Sequence, residues 1–361
     1  MPPPIELLES LCAVPTAPFA EHLVIDWIIR RMKQRKRVAV SRDDTGNIML
    51  ELPGISRGPR MVLVAHLDHP GFIAQEMEDK RTLRARFHGG VHAKYFKGSH
   101  VRFFDHDREV RGQIVGVDVD PAGKPVGATI KIGSIVPRGT VGMWDQGEPK
   151  IKAHKFHCRV CDDLAGAAAA LAVLDKLLRA SLPTPVAVLL TRAEEEGFIG
   201  AIAAAQNRQL LRATDLIISI ECSAEQPYAQ QGNGVILRTG DRTSIFNSAF
   251  TRFIQLRAEE IARKDPGFQW QRALMPGGTC EATVFDAWNY FAAAVCIPLA
   301  NYHNMDTKTG KIAPEFVDLR DWNNLVTLLA DVAPNACDFP GDHVDLRDKL
   351  AKRFDTYKSL L

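Results

Sequence analysis

Two histidines and a group of carboxylates stand out because each follows a short apolar run. His66 and Asp68 come after Met61-Val62-Leu63-Val64-Ala65. Glu194, Glu195 and Glu196 come after the run 185–190, Glu221 ends the run 215–220, and His303 follows 291–299. Asp162 and Asp163 precede an alanine-rich stretch. Neutral imidazole and carboxylate oxygen suit Zn²⁺, Co²⁺ and Mn²⁺. One carboxylate can bridge two such cations roughly 3.5–4 Å apart, and the pair lowers the pKa of a shared water and polarises a carbonyl. A further carboxylate, free of metal, must take the proton and return it to the leaving amine. Adjacent glutamates at a strand end can divide these roles, one facing the metal and its neighbour the water. Each element alone is weak: His-x-Asp is common, a Glu-Glu-Glu run is usually a solvated face, and a lone histidine is usually a loop or core residue. Their joint occurrence in order, each after a predicted strand, carries the information.

The elements that must position these residues are legible from periodicity. Leu23, Val24, Trp27, Ile28 and Met32 recur at helical spacing. Asp43-Asp44-Thr45-Gly46-Asn47 reads as a turn into a strand at 48–52. From about residue 160, helix and strand alternate: helices at 164–182, 197–211 and 246–263, strands at 185–190, 215–220 and 291–299. A last helix is predicted from Pro314-Glu315 to about Leu329, with proline in its first turn. This pattern predicts an α/β fold, a mostly parallel sheet with helices on both faces, with its site at the carboxyl ends of the strands. Between about 74 and 152 the helical period vanishes. Short β-prone runs at 101–104, 113–117 and 128–132 replace it, separated by glycine and proline. The expected organisation is a catalytic domain of residues 1–73 and 153–361, with a small β-barrel domain inserted at 74–152.

Bulk properties exclude several classes. The 361 residues are 46% hydrophobic, enough for a large core, and 24% charged. A net charge of +2, from 45 basic and 43 acidic residues, predicts no general attraction to nucleic acid or to an anionic membrane. The basic stretch from Arg30 to Arg37 reads as a solvated helix end. The opening Met-Pro-Pro-Pro-Ile-Glu has no signal-peptide character, and the longest apolar run is too short to span a bilayer. Seven scattered cysteines suggest free thiols in a reducing compartment, so a cytoplasmic location is expected. His154, His157, Cys158 and Cys161 form a tempting cluster, but no second Cys pair lies near and the segment leads straight into Asp162. His69 and Cys280 are expected to pack rather than react.

These motifs resemble the tetrahedral and glutamyl aminopeptidases, dinuclear metallopeptidases that include deblocking aminopeptidases. Ala65-His66-Leu67-Asp68, Cys161-Asp162-Asp163, Glu194-Glu195-Glu196-Gly197-Phe198-Ile199-Gly200-Ala201 and Ile297-Pro298-Leu299-Ala300-Asn301-Tyr302-His303 match that family's motifs in order. Gly46-Asn47, Gly232-Asn233-Gly234 and Pro276-Gly277-Gly278-Thr279 agree as well. The long gap from Asp68 to Asp162 is where the family carries its extra domain. The resemblance implies metal ligands His66, Asp162 (bridging), Glu195, Glu221 and His303, with Asp68 orienting His66. It implies Glu194 as general base, Glu221 as reader of the substrate's α-amine, and Gly277, Gly278 and Thr279 as substrate contacts. The cofactor expected is two divalent ions per subunit, zinc first, cobalt or manganese otherwise. The partners expected are peptides and further copies of the chain, up to a dodecameric shell. The sequence departs from the family at His69, where a glutamate is usual, at Leu164, where an arginine is usual, and at Glu221, where Asp is common. Two other functions fit the same residues: a dimetal amidohydrolase or deacylase acting on a non-peptide or N-acylated amide, and a catalytically weak scaffold homologue.

Overall fold

The computed structural model describes residues 4–55, 58–105 and 108–361. Helices α1 (Pro4–Cys12) and α2 (His22–Lys33) precede β1 (Ala39–Arg42), β2 (Ile48–Leu52) and β3 (Met61–His66). Then come β4 (Gly71–Asp79), β5 (Thr82–His88), β6 (His100–Asp105), β7 (Arg108–Val119), β8 (Pro125–Ile132) and β9 (Val141–Trp144). The chain continues with β10 (Lys150–Lys152), β11 (Lys155–Cys158), α3 (Leu164–Leu177), β12 (Val186–Thr191), α4 (Ile199–Asn207), β13 (Leu216–Ala224), β14 (Val235–Gly240), α5 (Ser248–Lys264) and β15 (Trp270–Leu274). It ends with α6 (Glu281–Ala287), β16 (Phe291–Ala300), the short pair β17 (Met305–Asp306) and β18 (Lys311–Ile312), β19 (Glu315–Asp318), α7 (Leu319–Val332) and α8 (Val344–Tyr357).

One large sheet runs β1-β2-β12-β3-β13-β16-β19-β11-β10, with β14 pairing β16 and β15 pairing β14. Its centre, β12-β3-β13-β16, is parallel; β2, β14 and β19 join it antiparallel, and β15 pairs β14 in parallel. The central strands are buried on both faces, which is why they read as unbroken apolar runs rather than alternations. Alternate residues still separate. Leu63, Ala65, Val188, Ile218 and Ile220 face the core built with α1, α2, α3, α5 and α7. Val62, Val64, Leu189 and Ile217 face α4 and α6. Helix α3 owes its alanines to this packing: Ala167 to Ala170 are fully buried. Trp322 Nε1 of α7 donates to Ala165 O at 2.8 Å.

The helix predicted from Pro314 starts later. Glu315–Asp318 is a strand held between β16 and β11, and α7 begins at Leu319, where the Asp318 side chain accepts from Arg320 N as its N-cap. Pairing on both sides satisfies more backbone groups there than one extra helical turn would. The segment between β3 and β10 forms a closed barrel, β4-β5-β8-β7-β6-β9. Phe72, Phe87, Phe96, Phe103 and Trp144 fill it, all buried. Phe72 and Trp144 meet edge to face at 4.9 Å. Strands β10 and β11 pair with each other, and β11 joins the large sheet through β19. Among the described residues no helix is long and apolar enough to cross a membrane.

Candidate metal centre

The parallel strands β3, β12, β13 and β16 end on one edge of the sheet, and each delivers its polar residue there. His66 is the last residue of β3, and Glu221 lies in β13 beside it. His66 Nε2 lies 3.5 Å from Asp162 Oδ1 and 4.0 Å from Glu221 Oε2. His303 Nε2 lies 3.9 Å from Asp162 Oδ2 and 3.0 Å from Glu195 Oε1. Two ligand groups result, His66–Asp162–Glu221 and Asp162–Glu195–His303. They share Asp162, whose two oxygens point to different groups.

These residues fit divalent cations on the donor chemistry alone. Asp162 Oδ1, Glu195 Oε1 and His303 Nε2 are buried and make no well-aligned hydrogen bond, although the last two lie only 3.0 Å apart. Native proteins rarely leave such atoms unpaired. Burial by itself would hold the imidazoles neutral, but the surrounding carboxylates override it: Glu194, Asp162 and Asp68 raise His66, and Glu195 with Asp162 lifts His303 to about 9. Glu221 is pushed up to about 8 by burial and by Asp162, against the pull of His66. Burial and the neighbouring Glu221 and Glu195 carboxylates also raise Glu194 well above the usual range. A field that draws protons onto buried imidazoles and carboxylates draws a divalent cation between them.

The three consecutive glutamates are turned apart. Glu194 borders the cavity, with Oε2 3.9 Å from His66 Nε2. Glu195 faces His303. Glu196 turns away, accepting from Gly89 N at 2.9 Å and lying 3.2 Å from His88 Nδ1. Asp68 sits behind the site, fully buried. Its carboxylate is 3.6 Å from His66 Nδ1 and accepts from the backbone N–H groups of Glu194 and Glu195 at 2.9 and 3.0 Å. Asp68 thus links the two: His66 Nδ1 lies 3.2 Å from the Asp68 backbone O, while the Asp68 carboxylate holds the glutamate turn. The Gly-x-x-Gly-Ala spacing has a steric reason: a Cβ on Gly200 would lie 2.4 Å from Arg192 N, so only glycine lets α4 start against this turn.

Several positioning residues gave no clear sign in the sequence. Glu315, read as a helix start, is fully buried. It accepts from Cys161 N and Asp162 N at 2.7 and 3.1 Å and from His303 N at 2.8 Å, holding two ligands by their backbones. Glu21 accepts from Ala193 N and pairs with Arg192. His69 does more than pack. Its Nδ1 lies 2.6 Å from Asp162 O and its Nε2 3.0 Å from Asn304 Oδ1, next to both Asp162 and His303. The His303 ring is fixed through Nδ1, 2.9 Å from Gly90 O beyond the end of β5.

A cavity of about 140 Å³ opens beside this cluster, lined by Glu194, Glu221, Ser223, Arg238, the Gly277-Gly278-Thr279 loop and Tyr302 among others. Arg238, on β14, was not anticipated. It is 3% exposed, donates to Ser223 Oγ at 3.1 Å, and leaves Nε without a partner. Among the described residues it forms no ion pair within 4.0 Å. Cys158 and Cys161 lie buried, Sγ to Sγ 3.3 Å, behind Asp162 and outside both ligand groups.

Comparison with known proteins agrees with this geometry. The sequence pattern of the family described as M42 glutamyl aminopeptidase matches residues 46–120 and 129–327. A Pyrococcus horikoshii TET1 peptidase, described as assembling into a tetrahedron or a large octahedral shell, superposes with a TM-score of 0.76 at 22% identity over 92% of this chain and 99% of that one. An aminopeptidase from the archaeon Desulfurococcus kamchatkensis gives 0.76 at 21% identity over 94% and 98%. A Thermotoga maritima protein named an endoglucanase gives 0.69 at 18% identity over 91% and 97%. At these identities the likeness establishes the fold.

Proposed function

The chain belongs to the M42 glutamyl aminopeptidase family, a hydrolase of peptide bonds, and from that premise we propose a dinuclear metallo-aminopeptidase that prefers an acidic first residue. The observation that carries the metal reading is the pair of ligand groups meeting at Asp162, with donor atoms left unpaired in a buried site. His66 and Glu221 would hold one divalent cation and Glu195 and His303 the other, with Asp162 on both and zinc the first candidate. When bound, the cations supply the charge that polarises the scissile carbonyl and acidifies a water.

The chain's own residues do the rest. Glu194 borders the cavity without belonging to either ligand group, and its carboxylate takes the water's proton and passes it to the leaving amine. Asp68 fixes the His66 ring and the Glu194 backbone together, so base and ligand keep one geometry. Once cations displace their protons, the Glu221 and Glu194 carboxylates facing the cavity would favour a free α-ammonium. Arg238 is a buried guanidinium with no carboxylate partner, and an acidic substrate side chain would supply one. Gly277, Gly278 and Thr279 wall the same cavity. The barrel, with residues 74–152 as an inserted domain between catalytic segments 1–73 and 153–361, steadies His303 through Gly90. A homo-oligomer, up to a dodecameric shell that admits only unfolded peptides, is part of this reading, and the described assembly of the Pyrococcus peptidase supports it.

The test compares peptides and their N-acetylated forms on protein loaded with Zn²⁺, Co²⁺ or Mn²⁺. Two cations per chain and cleavage of only the free peptides are expected. Equal cleavage of the blocked form would make the chain a deacylase or an endopeptidase, and light scattering at the mass of one chain would remove the shell.

A further inference from the structure

We propose that α8 is a docking surface for an anionic lipid bilayer. Leu346, Leu350, Phe354 and Tyr357 recur at spacings of four and three, so they share one face of the helix. They are 37%, 56%, 58% and 58% exposed, and no residue of α8 is buried. Among the described residues its ties to the body lie near its start: Arg252 Nε to Asp345 at 3.0 Å, Ser248 Oγ to His343 Nε2 at 3.0 Å, and Leu346, which lines a cleft with Ile245 and Phe246, while Leu350, Phe354 and Tyr357 lie beyond these ties. Helices of this length are marginal alone in water, so something must cover the apolar face.

The charges say what covers it. At 100° per residue, Lys349 and Arg353 border the apolar face on one side and Arg347 and Lys358 on the other. The helix's acidic residues, Asp345, Asp348 and Asp355, lie on the opposite face. Arg347 reaches Asp342 and Lys358 reaches Asp355 in exposed pairs, which hold little energy and leave both cations available. An apolar face with an aromatic pair and basic margins matches a bilayer interface, where acyl chains lie beneath a layer of negative headgroups. The same margins oppose pairing of α8 with a second α8, because basic edges would meet basic edges. The near-neutral net charge of the whole chain hides this patch, since it averages over a surface on which α8 is locally cationic.

The test is sedimentation of the full chain with phosphatidylcholine vesicles and with vesicles of equal phosphatidylcholine and phosphatidylglycerol, at several salt concentrations. Binding to the anionic vesicles alone, weakening with salt, is expected. Leu350→Asn/Phe354→Asn and Lys349→Glu/Arg353→Glu should each reduce that binding by about tenfold or more, with peptidase activity unchanged. Absence of binding to the anionic vesicles, or unchanged binding by either variant, overturns the proposal. So does a fall in solution mass of the Leu350→Asn/Phe354→Asn protein by light scattering, which would make the face a contact between copies.

Discussion

Strands β3 and β13 carry buried charge at both ends, and the two ends treat it oppositely. Before their first residues, Arg60 and Asp215 form a closed pair. Arg60 Nε lies 3.1 Å from Asp215 Oδ1 and Nη2 2.6 Å from Oδ2, while Nη2 also donates to Leu210 O at 2.7 Å. Glu51 meets the remaining Nη1, and Arg212 N caps Asp215. Each of these charges has an opposite charge or a carbonyl against it. Six residues later on the same strands, His66 and Glu221 join Asp162, Glu195 and His303, where carboxylates outnumber cations and donor atoms go unpaired. The same fold can close a buried charge cluster, so the open one is not a failure of packing. It lacks positive charge that the chain does not provide, and divalent cations would supply it.

The largest expected effect removes the shared ligand. Asp162→Asn should drop bound metal below one ion per chain and activity to background, read by elemental analysis beside a peptide assay. Two retained ions would break the contrast between the ends. Glu194→Gln should keep both ions yet lose on the order of 10²–10⁴-fold in rate, the usual reach of a general base. Near-normal turnover would reassign that role. At the closed end, Arg60→Met leaves Asp215 buried and uncompensated. It should cost about 3–5 kcal/mol in denaturant unfolding with the rate per folded chain unchanged, because breaking a buried pair destabilises strongly.

A smaller effect concerns the cavity. Arg238→Met should reduce the preference for glutamyl over leucyl chromogenic substrates by on the order of 10²-fold, since a charge-assisted contact is lost on one substrate only. Equal losses on both would give Arg238 a structural role. The smallest is the effect of pH. Glu221 is raised to about 8, so the metal-free fold holds this proton more tightly than the unfolded chain does. Its stability should therefore fall as pH rises from the ordinary carboxylate range toward about 8. Cation uptake must displace this proton together with those on His303, raised to about 9, and His66, so apparent affinity should rise by about tenfold per pH unit or more and level only above about 9. Calorimetry in two buffers of different ionisation heat would read the released protons, and a pH-independent affinity would refute the coupling.

Sequence alone determined the α/β class, the order of the central strands along the chain, the family motifs and the residues that meet at their ends. It could do so because both signals are local: strands buried on both faces are apolar runs, and the polar residue that ends each run is its neighbour in the chain. Tertiary structure decided what depends on residues far apart in the chain. That Asp162 turns one oxygen toward each histidine, that Glu194 borders the cavity while Glu196 turns to Gly89, and that Glu315 belongs to a strand holding Cys161, Asp162 and His303 by their backbones are such facts. So is Arg238, one arginine among many until β14 places it in the wall of the cavity with no ion pair within 4.0 Å among the described residues. A side chain's charge is written in the sequence, but whether that charge is paired depends on which distant segment the fold brings within a few ångströms of it.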